Sequence, residues 1–143
     1  MSKGDTFEND FLKLIFNGTA IANIADNAAT APLTNLYLSL HTADPGEAGN
    51  QTTSEISYTG YSRVAVARTS GGWTVTGASV SPAALIAFGQ MTAGAGGTAT
   101  HAVIGTASSG TGKILYSGTL TPNIAVANGV TPQIPTTSTI TED

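Results

Sequence analysis

The alternation of apolar and polar side chains after residue 34 constrains the fold of this chain more than any other feature. In residues 36–41 (LYLSLH) every second residue is leucine, which predicts a half-buried strand. Similar short runs follow, separated by turn residues, at residues 63–69, 73–76, 85–88, 99–105, 113–120, 124–127, 129–134 and 137–140. Eight or nine short strands without intervening helices are typical of an antiparallel sheet fold. The sequence therefore predicts an all-β, jelly-roll-like antiparallel β-sandwich.

One short helix is predicted before the strands. Asp5 and Glu8 have the spacing of a capping box, and Gly18 supplies a helix end. A helix of about three turns does not persist alone in water, so its apolar face must pack on something. That face is formed by Phe7, Phe11, Leu14 and Ile15. We predict that these four residues form an interface with a partner subunit.

The length of 143 residues fits one main domain. Residues 19–33 have no clear hydrophobic period and are interpreted as a connecting arm. We therefore expect an N-terminal helix and arm over residues 1–33 and a β-sandwich domain over residues 34–143. On this interpretation the helix contributes little to the stability of the sandwich.

A hairpin turn is predicted near the C-terminus. Asn128 and Gly129 suit the two positive-φ positions of a type I′ turn. Pro132, which has no N–H to donate, would face the preceding strand at a hydrogen-bonded position. We therefore expect a short hairpin or one at a sheet edge.

Charge and hydropathy argue against two classes of partner, nucleic acid and membrane. Charged residues make up 10% of the chain, the net charge is −4, and the five basic residues are scattered. This argues against a nucleic-acid partner, because phosphate neutralisation needs clustered lysine and arginine. The chain has no apolar run near the roughly 20 residues that span a bilayer, and its first residues lack the apolar core of a secretory signal. We expect no membrane partner.

Catalytic, cofactor and metal sites are not predicted. Residues 105–113 (GTASSGTGK) resemble a phosphate-binding loop, but Ala107 and Ile114 stand where glycine and a magnesium ligand belong. We expect a flexible loop between two strands there. His41 and His101 are the only histidines, no cysteine is present, and residues 60–141 contain no acid. Both histidines are interpreted as ordinary hydrogen-bonded residues, and the protein is expected not to be an enzyme.

Several segments resemble a family of small virion proteins from tailed bacteriophages. The similarity covers roughly residues 34–142, with the clearest segments at residues 38–46 (LSLHTADPG), 58–61 (YTGY), 63–68 (RVAVAR), 71–73 (GGW), 105–110 (GTASSG) and 115–118 (LYSG). Members are often labelled tail-fibre-like. Similar proteins of short-tailed phages are capsid cement, or decoration, proteins with a jelly-roll-like fold.

This resemblance implies a non-enzymatic cement protein at the capsid surface of a virion that is assembled in the cytoplasm of a bacterial host. The helix face of Phe7, Phe11, Leu14 and Ile15 would then contact a partner subunit or the capsid. The partners of the protein would be the major capsid protein and further copies of itself in a homo-oligomer, without a cofactor. Few charges suit such a role, because desolvating charge between subunits is costly. The alternative is a tail-fibre or receptor-binding module in which loop 43–57 recognises a host surface glycan. A depolymerase is the least favoured function.

Overall fold

The computed structural model describes residues 5–21 and 32–142. The elements in this part of the chain are α1 (Asp5–Asn17), β1 (Asn35–His41), β2 (Val64–Ala67), β3 (Trp73–Thr76), β4 (Ser79–Pro82), β5 (Ile86–Ala87), β6 (Gly97–Gly105), β7 (Ile114–Val126), β8 (Gln133–Ile134) and β9 (Ile140–Thr141). The strand pairs β1–β6, β6–β7, β3–β4 and β4–β9 are antiparallel. The predicted fold class, an antiparallel all-β fold of sandwich type with one short N-terminal helix, is confirmed.

The strands form three sheets with the orders β2-β1-β6-β7, β3-β4-β9 and β5-β8. The described residues divide into two compact units. The first unit contains residues 5–21, 32–35, 66–86 and 134–142, and the second contains residues 36–65 and 87–133. In this division α1 shares a unit with β3, β4 and β9, whereas the sequence predicted a separate N-terminal segment of residues 1–33.

In the first unit α1 packs on β3 and β4. Leu12 and Phe16 are fully buried, as are Trp73 on β3 and Val80 on β4. The rings of Phe16 and Trp73 meet edge to face with centroids 4.8 Å apart, a geometry worth about 0.5–1.5 kcal/mol beyond the area it buries. The helix is thus attached to its own chain through Leu12 and Phe16, which the predicted apolar face did not include.

The helix ends where the sequence predicted. Its last residue is Asn17, and Gly18 follows with a φ of 66°, a conformation that costs glycine little because it has no Cβ. The Thr19 N–H donates to the carbonyl of Lys13 at 3.1 Å. One of the carbonyls that a helix end leaves without an intrahelical donor is thereby satisfied.

In the second unit β1 pairs with β6 from Tyr37 opposite Gly105 to His41 opposite His101. The buried apolar side chains of this unit include Leu36, Leu38, Leu40, Ile56, Tyr58, Phe88, Met91, Ala99, Val103, Ile104 and Val126. Ser39 and His41 are also fully buried. The prediction that β1 is half-buried is therefore wrong at its end, where both sides of the strand are covered.

Strand β7 joins two predicted strands into one, and Pro122 lies within it. The register with β6 changes there, because Ala99 faces Ile124 whereas His101 faces Thr119. Residues 120–123 of β7 therefore lie opposite Thr100 alone. Proline is tolerated at such an irregularity, where its missing N–H breaks no ladder bond.

The predicted type I′ hairpin is wrong. The Val130 N–H donates to the Ala127 carbonyl at 2.9 Å, so a four-residue turn does form. Gly129 has a positive φ, and Asn128 does not, whereas a type I′ turn needs both. After the turn, the Met91 N–H donates to Val130 and the Phe88 N–H to the Pro132 carbonyl. Pro132 takes part through its carbonyl and needs no N–H. Residues 130–132 therefore pair with residues 88–91 and do not return along β7.

Candidate functional site

The predicted interface on α1 retains some exposed apolar surface. Phe11, Leu14 and Ile15 are half-buried. The side chain of Phe7 lies outside the residues that the structure describes. Leu12 and Phe16 hold the helix to β3 and β4. Three of the four predicted residues, Phe11, Leu14 and Ile15, lie beside this buried contact and remain partly exposed.

Arg68 fixes the C-terminal end of α1. Its Nε donates to the Ile15 carbonyl at 2.6 Å, and its Nη2 donates to the carbonyl of Leu14. A cation is favourable here, because the last carbonyls of a helix carry partial negative charge. The same guanidinium also reaches the Leu33 carbonyl through Nη1, at 3.5 Å. The orientation of the helix end is therefore set by a residue that precedes β3.

A second arginine forms a buried ion pair in the other unit. The Arg63 guanidinium meets the Glu55 carboxylate with two hydrogen bonds, from Nε to Oε1 at 2.8 Å and from Nη2 to Oε2 at 2.7 Å. Only 3% of the Arg63 side chain and 16% of the Glu55 side chain are exposed. The hydrogen bonds to Glu55 raise the pKa of Arg63 further, although burial opposes them. The guanidinium and the carboxylate are thus matched in geometry.

Tyr61 links this ion pair to the β-sheet. Its hydroxyl donates to Glu55 Oε1 at 3.0 Å and accepts the Leu40 N–H at 3.0 Å. Burial raises the pKa of Tyr61 strongly, so the phenol stays protonated and able to donate. The network therefore connects the loop before β2 to the backbone of β1.

The same network holds the loop between β6 and β7, residues 106–113. Arg63 donates through Nη1 to the Ala107 carbonyl at 3.0 Å and through Nη2 to the Gly110 carbonyl at 2.8 Å. The fully buried Gln51 adds two bonds. Its side-chain Oε1 accepts the Ala107 N–H at 2.9 Å, and its backbone N–H donates to the Gly112 carbonyl at 3.0 Å. The loop predicted to be flexible is thus held at Ala107 and Gly110 by buried side chains and at Gly112 by the backbone of Gln51.

Two glycines make room for Gln51. A Cβ on Gly105 would lie 2.1 Å from Gln51 Cδ, and one on Gly112 would lie 2.0 Å from Gln51 Oε1. Neither distance is sterically possible, so any larger residue would displace the glutamine. These glycines, which suggested a phosphate-binding loop in the sequence, instead allow a close contact between the loop and a buried amide.

His41 is fully buried at the end of β1. Its Nδ1 lies 2.8 Å from the Thr53 carbonyl and its Nε2 lies 2.9 Å from Ser39 Oγ. Because a carbonyl only accepts, Nδ1 carries the hydrogen and Nε2 accepts from the serine hydroxyl. Burial lowers the pKa of His41, partly offset by the Thr53 bond and by Glu55. The histidine is therefore a neutral connector between β1 and the loop that follows it.

We expect the stability of the protein to fall as the pH drops below about 6.5, the pKa of histidine in an unfolded chain. Below this value the unfolded chain binds a proton at His41, whereas the folded protein, with its lowered pKa, does not. Urea midpoints measured between pH 8 and pH 5 check this, in a range where most carboxyl groups remain ionised. The slope should be smaller in His41→Gln than in the matched control His101→Gln. Equal slopes in the two variants would contradict the assignment.

A groove of about 500 Å³ lies in the second unit. Its lining comes from the loop after β1 and from the start of β7, namely Asp44, Gly46, Glu47, Gly49, Lys113, Ile114, Leu115 and Ser117. The Gly46 N–H donates to Asp44 Oδ1 at 3.0 Å and the Gly49 N–H donates to the Gly46 carbonyl at 3.1 Å. The acidic wall of the groove is therefore a tight turn stabilised by its own hydrogen bonds.

Metal-ligating groups do not cluster in the described part of the chain, where no set of three or more histidine or acidic side chains surrounds a common point. No helix among the same residues has the length and apolar character needed to cross a membrane. Among the polar residues that are brought together, Glu55, Tyr61 and Arg63 bond to one another. Arg63 and Gln51 also bond to the backbone of the loop between β6 and β7. Their chemistry is that of a scaffold that holds loops in place.

Comparison with known proteins identifies the family of this chain. The family model described as "Podophage GP4 fiber I protein gp80" matches residues 2–142. No curated protein matches the chain. The match covers nearly all of the 143 residues, and it agrees with the predicted resemblance to virion proteins of tailed phages. The chain therefore belongs to the podophage GP4 fiber I protein gp80 family and is a structural protein of a bacteriophage virion.

Proposed function

We propose that the protein is a fibre subunit of a podophage virion that functions as a structural component and not as an enzyme. The observation that carries this proposal is the family match, whose description names a fiber protein and which extends over residues 2–142. The buried polar network supports it, because Glu55 and Arg63 are committed to holding loops. Exposed loops on a rigid framework are what a protein with a binding role requires.

The proposal includes self-association. Fibres are built from repeated copies, and closed symmetry is usual for such assemblies. The half-buried apolar residues of α1, Phe11, Leu14 and Ile15, supply a surface for this contact. The low charge of the chain, 10% of its residues, reduces the cost of removing water from the surfaces that meet.

Capsid cement is the second candidate function. It is favoured by the sequence resemblance to decoration proteins and by the same low charge. In this role the partner is the major capsid protein, and the site is the capsid surface. A cement protein gains affinity by contacting several capsid subunits at once, and it stabilises the assembled shell because it binds no other state.

The number of copies in each virion separates these functions. A fibre is limited by the low-order symmetry of the tail, whereas a cement protein occupies sites over the whole shell. We expect quantitative mass spectrometry of purified virions to find far fewer copies than of the major capsid protein. Copy numbers comparable to the major capsid protein would replace the fibre proposal with the cement function, and absence from virions would overturn both.

A further inference from the structure

The strand β7 forms an open edge of the four-stranded sheet. This sheet has the order β2-β1-β6-β7, so β7 pairs with β6 on one side, and no other strand of the described residues pairs with its second side. Every second residue of an edge strand points its N–H and C=O groups away from the sheet. Such groups can pair with a strand of another chain. The edge of β7 thus offers a row of backbone hydrogen-bonding groups to a partner.

This edge lacks most of the features that prevent pairing between proteins. The opposite edge strand, β2, has only four residues, and short edge strands are poor templates for pairing. In contrast, β7 has thirteen residues, and none of them is charged. Pro122 blocks pairing locally because it has no N–H, but residues 116–119 before it keep a regular register with β6. This regular stretch is therefore the part of the edge that can extend the sheet.

Gly118, within the regular stretch, is a second and independent indication of a partner strand. It is exposed, as are its neighbours Ser117 and Thr119. A Cβ added to Gly118 would meet no atom within 4 Å beyond its chain neighbours, so the space beside it is open. Glycine inside a strand weakens that strand, and it often marks a place where another backbone approaches closely.

We propose that β7 pairs antiparallel with β7 of a second copy of this chain, with the twofold axis near Gly118. Two identical strands related by a twofold axis present the same hydrogen-bonding groups to each other, so they extend the sheet across both copies. The nearest charge along the strand, that of Lys113, lies opposite residues 121–123 of the other copy in this arrangement, and those residues are uncharged. The pairing therefore brings no like charges together.

This contact is separate from the apolar surface of α1, because β7 belongs to the second unit and α1 to the first. One pair of strands buries little area, so the contact is expected to be weak by itself. A subunit with a single twofold contact forms only a dimer, whereas two different twofold contacts allow assembly to continue. The role of β7 in building a fibre rests on the proposed function, but the pairing itself depends only on the strand.

Charges introduced at Gly118 test the pairing in the purified full-length protein. Gly118→Lys places two like charges near the twofold axis, so the dissociation constant for self-association should rise about tenfold. Gly118→Glu should have the same effect. An equimolar mixture of the two variants should recover the original affinity, because opposite charges then meet across the axis. Sedimentation velocity over a series of concentrations measures these affinities.

Gly71→Lys is the matched control. Gly71 is an exposed glycine of the first unit, and a Cβ there would meet only the Thr69 hydroxyl, at an ordinary distance of 3.6 Å. This variant should leave the affinity unchanged. A thiol gives a second measurement, because the chain contains no cysteine. Under mild oxidation, Gly118→Cys should form disulfide-linked dimers about tenfold faster than Gly71→Cys, since a disulfide needs Cα atoms within about 7 Å.

Equal affinities of Gly118→Lys and Gly71→Lys would overturn the contact. Weaker association of both charged Gly118 variants without recovery in their mixture would also overturn it, because the two copies would then not meet at this residue. Equal rates of disulfide formation in the two cysteine variants would have the same meaning. None of these results bears on the fibre proposal, which the copy number in virions decides.

Discussion

Arg63→Ala is expected to destabilise the protein by about 3–5 kcal/mol, the usual cost of removing one partner from a buried ion pair. The substitution leaves the Glu55 carboxylate without its two charged donors. It also removes the donors to the carbonyls of Ala107 and Gly110. For a chain of this length the loss corresponds to a fall in melting temperature of about 10–20 °C. Thermal and urea denaturation followed by circular dichroism measure it.

Two further variants identify the cause of this loss. Lys113→Ala removes one positive charge from an exposed side chain and should change stability by less than about 0.5 kcal/mol. Arg63→Lys keeps the charge but not the planar fork that pairs with the carboxylate, so its loss should lie between the two. A loss below about 1 kcal/mol in Arg63→Ala would mean that the pair contributes little net stability, as exposed pairs do.

Hydrogen exchange in the loop between β6 and β7 measures the effect of the same network independently. Amide hydrogen exchange at residues 106–112 reports local opening. We expect faster exchange there in Arg63→Ala, because the carbonyls of Ala107 and Gly110 lose their donors. In a double-mutant cycle, the losses for Glu55→Ala and Arg63→Ala should sum to more than the loss for the double variant.

The strands of this fold are predictable from the sequence where one feature dominates. The leucines of residues 36–40 located β1, and Gly18 located the end of α1, because both effects are local. The burial of Ser39 and His41 was not predictable in this way. Their polar atoms are satisfied by one another and by Thr53, a partner twelve residues from His41, whereas an alternation pattern assigns polar side chains to solvent.

The interruption predicted in β7 has a similar explanation. Pro122 is a strand breaker when every N–H must join the ladder. The register change opposite Thr100 removes that requirement for residues 120–123. A change of register depends on the partner strand, so the sequence of β7 alone contains no sign of it.

The buried ion pair was also missed, although a sign of it exists in the sequence. Arg63 and Arg68 are the only lysine or arginine residues between positions 14 and 112. In a chain with so few charges, an isolated cation beside alternating apolar residues is expensive unless it has a defined partner. Both arginines do have one, Glu55 for Arg63 and the end of α1 for Arg68. Their partners could not be named, because the contacts join segments with no common motif.

The helix illustrates how the choice of face decides a prediction about function. The sequence predicted that Phe7, Phe11, Leu14 and Ile15 form the apolar face, and that the helix contributes little to the β-domain. In the structure Leu12 and Phe16 fill the contact with β3 and β4. Helix α1 has apolar residues on more than one side. The positions of Trp73 and Val80 determine which of these sides packs inward.

Phe16→Ala is therefore expected to cost about 3–5 kcal/mol, as for other fully buried phenylalanines. It removes the edge-to-face contact with Trp73 and leaves a cavity between α1 and β3. Phe11→Ala is the matched variant, because it makes the same chemical change at a half-buried position of the same helix. Its loss should be below about 2 kcal/mol, since less apolar surface is removed from a covered site. Urea denaturation of both variants measures the difference.

The same pair of variants tests the predicted interface by native mass spectrometry. Phe11→Ala should shift the protein towards smaller oligomers at a concentration where its fold is intact, because Phe11 supplies part of the exposed apolar surface of α1. An unchanged oligomer distribution in Phe11→Ala would contradict the interface.

A loss of stability in Phe16→Ala as small as that in Phe11→Ala would mean that the helix stabilises the β-domain little. The separate N-terminal segment of residues 1–33 would then be the better description, and deletion of residues 1–18 would leave a cooperative unfolding transition.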